Sequence, residues 1–194
     1  MIGIISLHRI RLELDRQLRA HAFFARALRG DLGPLPYADL LLEMSALVGA
    51  IDTDRGIDLE SLASIDLHRL GAPRNRGECT AARHLNALGR SYDGCLARQD
   101  ILDLTLAMFG SSWTRDACEP LARSHPDAVG FLSELGRQGP LRFAAVKARI
   151  EQGRLEVRHA FTYAEVARGA LLGVASYLDS IWPAPVVVGA FEIN

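Results

Sequence analysis

The stretch LHRIRLELDRQLRAHAFFARALRG, Leu7 to Gly30, decides the fold class. Every seventh residue gives Leu7, Leu14, His21 and Leu28, and Ile10, Gln17 and Phe24 fill the neighbouring row, so an apolar stripe runs along an amphipathic helix. The helix is expected from about Ile4 to Arg29 and to end at Gly30, with Arg26 and Arg29 in its last turns, where the helix dipole favours positive charge. His21 falls on the core-facing row. An imidazole so placed needs a hydrogen-bonded core partner, a metal or haem to ligate, or a cavity into which it works as a base. Leaving its nitrogens unpaired in apolar surroundings costs about 1–3 kcal/mol.

The same reading extends outward from this helix. Gly33-Pro34-Leu35-Pro36 reads as a rigid turn, and a second helix through Leu40, Met44, Leu47 and Ile51 is expected to pack as an antiparallel hairpin on the first. Asp58 is placed to cap a third helix through Leu62, Ile65 and Leu70, stopped by Gly71-Ala72-Pro73. Further helices are expected from about Cys79 to Leu88 and from about Cys95 to Phe109. Ser124-His125-Pro126-Asp127 has the form of a helix start. That helix, with Val129, Leu132 and Leu135, should stop between Gly136 and Gly139, and Pro140 should open another short one through Leu141, Phe143, Val146 and Ile150. Thr162-Tyr163-Ala164-Glu165 is a capping box, with Phe161 and Val166 placed as a hydrophobic staple, so the last helix should start near Thr162 and run to Pro183. Val186-Val187-Val188 is β-prone but has no second strand to pair with. The expectation is an all-α protein: one helical bundle domain of about seven to nine helices over residues 1–182 and a short extended tail over 183–194.

Composition narrows the function classes. The 194 residues, 49% hydrophobic, suit one substantial core. A net charge of −1, from 22 basic and 23 acidic residues, provides no field to recruit nucleic acid or an anionic membrane surface. Cys79, Cys95 and Cys118 form no C-x-x-C pair, which argues against a disulfide framework or zinc knuckle and fits a reducing compartment. The amino terminus lacks a secretory layout and no apolar run approaches about 18 residues, so a cytoplasmic location is expected. No G-x-S-x-G, Walker loop, dinucleotide fingerprint or H-E-x-x-H occurs.

Several residues join His21 as candidates for chemistry. Glu43, His84, Glu156 and His159 supply the imidazoles and oxygen donors that an iron site gathers from several helices. Glu156 and His159 have E-x-x-H spacing but lie ahead of the expected start of the last helix. Each has a plainer reading. His21 can be a core imidazole bonded to a carbonyl or carboxylate, Glu43 a solvated or salt-bridged acid, and His84, beside Arg83, a rim residue. Gly169 and Gly173 form a G-x-x-x-G that either packs helices closely or makes room for a flat ligand. Tyr92, Trp113, Tyr163 and Tyr177 read as core or interface aromatics.

From His21 the chain runs HAFFARALRGDL, with Tyr37 five residues after Leu32. This resembles the motif H-P-F-x-x-x-L-x-x-G-x-L-x-x-x-x-[FY] of the TenA and PqqC proteins of the haem-oxygenase-like superfamily, with the His-to-Gly, Gly-to-Leu and Leu-to-aromatic spacings in agreement. Ile65-Asp66-Leu67-His68-Arg69-Leu70-Gly71 is similar to the D-L-x-x-L-G segment of haem oxygenases. The resemblance covers roughly the first 70 residues. It implies a haem-oxygenase-like bundle whose first and last helices line a pocket for a small organic molecule or tetrapyrrole, and an oxidoreductase of the haem- or iron-dependent oxygenase type. His21 is then the ligand or base, Glu43 its catalytic helper, His21, Glu43 and His84 the metal set, and Gly169 and Gly173 the place where a cofactor fits. Ala22 stands where the motif has Pro, and Met44, with Glu43 beside it, where thiaminase-type members carry a catalytic Asp. The stretch Leu88 to Gly94 reads as a turn rather than a glycine-rich distal helix. The rival is a non-catalytic helical module that binds a partner or forms a homodimer through its Val-rich tail. Sequence-specific DNA binding ranks third, since no helix pair shows a concentrated basic face.

Overall fold

The computed structural model describes residues 2–49, 58–72 and 96–183, with side chains from residue 4 onward. Among these residues the chain forms eight α-helices and no strand: α1 Ile2–Ala20, α2 Ala22–Ala27, α3 Pro34–Gly49, α4 Leu59–Arg69, α5 Arg98–Phe109, α6 Ser112–Ser124, α7 Gly130–Glu151 and α8 Val157–Ile181. The long helices α7 and α8 both pack on α5. α8 also carries α1, α2 and α3, and α7 carries α4 and α6. Leu14, Leu18, Phe24, Trp113, Leu132, Leu171 and Leu178 are all fully buried in the common core.

The structure departs from the sequence expectation in ways that have physical causes. The first helix is not continuous: His21 takes an extended conformation (φ −72°, ψ 132°) and becomes the N-cap of α2. Gly30, at φ 74°, closes α2 as expected, accepting the left-handed turn that a side chain resists. A Cβ there would also meet the Pro120 carbonyl oxygen at 2.5 Å, so α6 lies against this turn. α3 starts inside the proline turn because Pro34 and Pro36 occupy its first turn, where missing N–H groups cost nothing. Its main neighbour is α4 rather than the first helix.

α6 was not expected as a helix, and the anticipated helix start at Ser124 to Asp127 is instead the last residue of α6 and the turn after it. α7 then runs unbroken through Gly136, Gly139 and Pro140. These glycines are points of close approach: a Cβ on Gly139 would lie 1.7 Å from the Gly110 carbonyl oxygen, and one on Gly110 2.2 Å from that of Leu135. α8 begins before Thr162, whose Oγ1 donates to the Arg158 carbonyl at 2.9 Å rather than capping the helix. The expected helix from Cys79 to Leu88, together with Cys79, His84, Tyr92, Cys95 and the tail beyond residue 183, lies outside the described residues. Among the described residues no helix is long and apolar enough to cross a membrane.

Three helices receive their N-terminal cap from elsewhere in the bundle. The N-cap residues of α2, α6 and α7, namely His21, Ser111 and Val129, make no side-chain cap bond of their own. In each case an aspartate from another helix accepts a first-turn amide. Asp179 of α8 takes Phe23 N–H at 2.7 Å. Asp15 of α1 takes Trp113 N–H at 2.7 Å. Asp66 of α4 takes Phe131 N–H at 2.7 Å. Each carboxylate satisfies an orphan donor and meets the positive end of a helix dipole.

Candidate functional site

The break between α1 and α2 sets the geometry of the candidate site. His21 Nδ1 lies 2.8 Å from Asp179 Oδ2, and Asp179 Oδ1 is held by the Phe23 amide. The carboxylate is therefore fixed at both oxygens and fixes the ring in turn. The His21 side chain is 25% exposed, so it is neither sealed in the core nor free on the surface. Its second nitrogen, Nε2, makes no hydrogen bond among the described residues. When the neutral ring carries its proton on Nδ1, Nε2 presents a lone pair outward.

Two further links close this end of the bundle. Arg26 Nη1 donates to the Trp182 carbonyl at 3.4 Å, and Trp182 Nε1 donates to Asp39 Oδ2 at 2.9 Å. Gln17 meets Arg168 and His21 meets Asp179, so the chain advances in the same direction along the first helices and along α8. The end of α8 is thereby tied to both α2 and α3.

The remaining sequence candidates fall elsewhere. Glu43 is buried on α3, 8% exposed and one turn beyond Asp39, rather than at a solvated edge. Gly169 and Gly173 are exposed on α8, and a Cβ on either would meet nothing within 4 Å, so they neither pack a helix closely nor line a wall. Glu156 is the N-cap of α8; it pairs with Arg158 at 2.8 Å and lies 3.8 Å from His159 Nδ1. Among the described residues no three His, Cys, Asp or Glu side chains converge to hold a metal ion, so His21 and Glu43 do not form such a set there.

Sequence reasoning found His21 but missed Asp179 as its partner, and Asp39 and Arg26 as the residues that hold the end of α8 at Trp182. One signal was present. Asp179 lies in the last turn of α8, where the helix dipole disfavours an acid, so its charge was to be expected in the service of another element.

Comparisons with known proteins return no family model, no curated protein and no solved structure that matches this chain.

Proposed function

We propose that this chain is a haem-oxygenase-like helical protein that binds a small organic molecule or tetrapyrrole where α2 meets α8, and that it does oxidoreductase chemistry there with His21 Nε2 as ligand or base. The observation that carries this reading is the His21–Asp179 pair: a partly exposed imidazole, fixed from behind by a carboxylate, with its outer nitrogen unpartnered. The plainer reading, a core imidazole bonded to a carboxylate, accounts for the Nδ1 contact with Asp179; the partial exposure of the ring and the unpartnered Nε2 are what favour a ligand or base. A carboxylate behind an imidazole fixes the tautomer and the ring orientation, which serves proton abstraction and metal ligation equally.

The donor set favours a role for one imidazole. Asp179 is already committed to the Phe23 amide, and no third donor joins the pair among the described residues. That arrangement would suit a haem ligand or a general base better than a chelated iron ion. A haem bound there would supply the redox and dioxygen chemistry. The chain's own part is to hold Nε2 in place, with Asp179 preventing rotation of the ring.

Haem titration followed at the Soret band, metal analysis, and a thermal-shift screen of small organic ligands test the proposal on the purified protein. The wild type is expected to respond to haem or to a ligand. His21→Ala should abolish that response, and Asp179→Asn should weaken affinity about 10–100-fold. No Soret change, no iron, and no ligand response that depends on His21 would overturn the proposal.

A further inference from the structure

Asp179 sits where a helix is least able to hold it. The last backbone bond of α8 runs from the Trp182 amide to the Leu178 carbonyl at 2.9 Å. The next would need an N–H from residue 183, which is proline, so the Asp179 carbonyl has no helical donor. An acid in this turn also meets the negative end of the helix dipole, and terminal turns open at little cost. Yet this aspartate is the one that caps α2 through the Phe23 amide and fixes the His21 ring.

What secures the turn is the residue that ends it. Trp182, half-buried against the core, donates its indole N–H to Asp39 Oδ2 at 2.9 Å, and its carbonyl accepts from Arg26 Nη1 at 3.4 Å. Asp39 lies in α3 and is 6% exposed, and a hydrogen bond to a carboxylate shielded from water is stronger than one at the surface. Asp179 and Trp182 are three residues apart, about 4.5 Å along the helix axis, and so belong to one turn. α2 grips that turn at both residues, through Phe23 and His21 at Asp179 and through Arg26 at Trp182, and the indole carries it on to a third helix.

We infer that Trp182 and Asp39 are positioning residues for His21: their hydrogen bond holds the last turn of α8 in place, and with it the carboxylate that orients the ring. The inference rests on the His21 site proposed above, but the effect of the bond on the ring is measurable with no ligand present.

Trp182→Phe keeps an aromatic ring and removes the N–H. Amide exchange and nitrogen NMR spectra of the His21 imidazole, recorded on the full chain, read its effect. The Phe23 amide should exchange at least about tenfold faster than in the wild type, while the Phe131 amide, capped by Asp66 of α4, should keep its rate. A general loss of stability would quicken both alike. The wild-type ring should carry its proton on Nδ1, and in Trp182→Phe the form protonated on Nε2 should appear beside it. Asp39→Ala breaks the bond from the other end and should reproduce both changes, whereas Asp39→Asn, which retains an acceptor oxygen, should lie closer to the wild type. The double variant Asp39→Ala/Trp182→Phe should exceed neither single variant by much, because both remove the same bond. Haem affinity, followed at the Soret band, should fall at least about threefold in Trp182→Phe. A wild type that binds no haem counts against the proposed ligand and leaves the exchange and NMR results to decide the positioning role. That role is refuted if Phe23 and Phe131 quicken together, if neither does, or if His21 keeps its Nδ1 proton in both variants that break the bond.

Discussion

A carboxylate at a helix N-terminus has opposite pH signatures at Asp15 and Asp66. Burial pushes the Asp15 carboxyl up, but hydrogen bonds from Arg19, Ser112 and the Trp113 amide, with the charge of Arg19, outweigh it and hold the group below the ordinary 3.8. Asp66 is more deeply enclosed, and there burial prevails over the Phe131 and Gly130 amides and the Arg69 charge, leaving it above 3.8. A depressed carboxyl contributes stability above its unfolded value and loses it as pH falls. Asp15→Asn should therefore cost about 0.5–2 kcal/mol at pH 7, with the deficit shrinking below about pH 3.8. A raised carboxyl works the other way, so the stability of Asp66→Asn relative to wild type should improve as pH rises from about 3.8. Urea unfolding across pH 3 to 7 checks both signs; parallel curves for the two variants would contradict this account. Composition gives no warning of the difference, because both residues look like polar interruptions of helices. What separates them is how many donors a distant helix brings to each.

Glycine marks three different situations along these helices. Gly139→Ala and Gly110→Ala should each destabilise by about 1–3 kcal/mol or more, because the added methyl meets backbone that cannot turn aside. Gly169→Ala and Gly173→Ala should each stabilise by about 0.4–1 kcal/mol, since both sit in an exposed helix interior with open space beside them. Thermal midpoints would separate the pairs, at roughly 2–4 °C per kcal/mol for a chain of this size. The sequence made α4 legible through Asp58, whose side chain accepts Ser61 N–H at 2.8 Å, and it made the end of α2 legible through Gly30. Those signals are local. The continuity of α7 was illegible, because a glycine that admits another backbone and one that ends a helix carry the same letter. Likewise, the break at His21 depends on Asp179, which lies 158 residues away.

At the scale of the molecule, α5 is held between the two long helices, and its polar contacts with α7 are charged. Asp103, 1% exposed, accepts from Arg142 at 2.8 Å and Arg149 at 2.6 Å, and Arg149 Nε lies 2.7 Å from Asp100 Oδ1 without the alignment of a hydrogen bond. The all-α architecture was legible because periodicity needs only neighbouring residues, whereas the partners of each charge, like the His21–Asp179 pair, appear only once the helices are docked. The capping aspartates carry that dependence into the dynamics. Amides in the first turn of a helix ordinarily fray and exchange with deuterium early, but those of Phe23, Trp113 and Phe131 can open only when a different helix lets go. They should exchange as slowly as amides in the middle of their helices. The first turn of α8, where Glu156 offers no cap bond, should exchange far faster. Opening would then be shared among segments distant in the chain, so that loosening α1, α4 or α8 at one aspartate unravels the beginning of another helix.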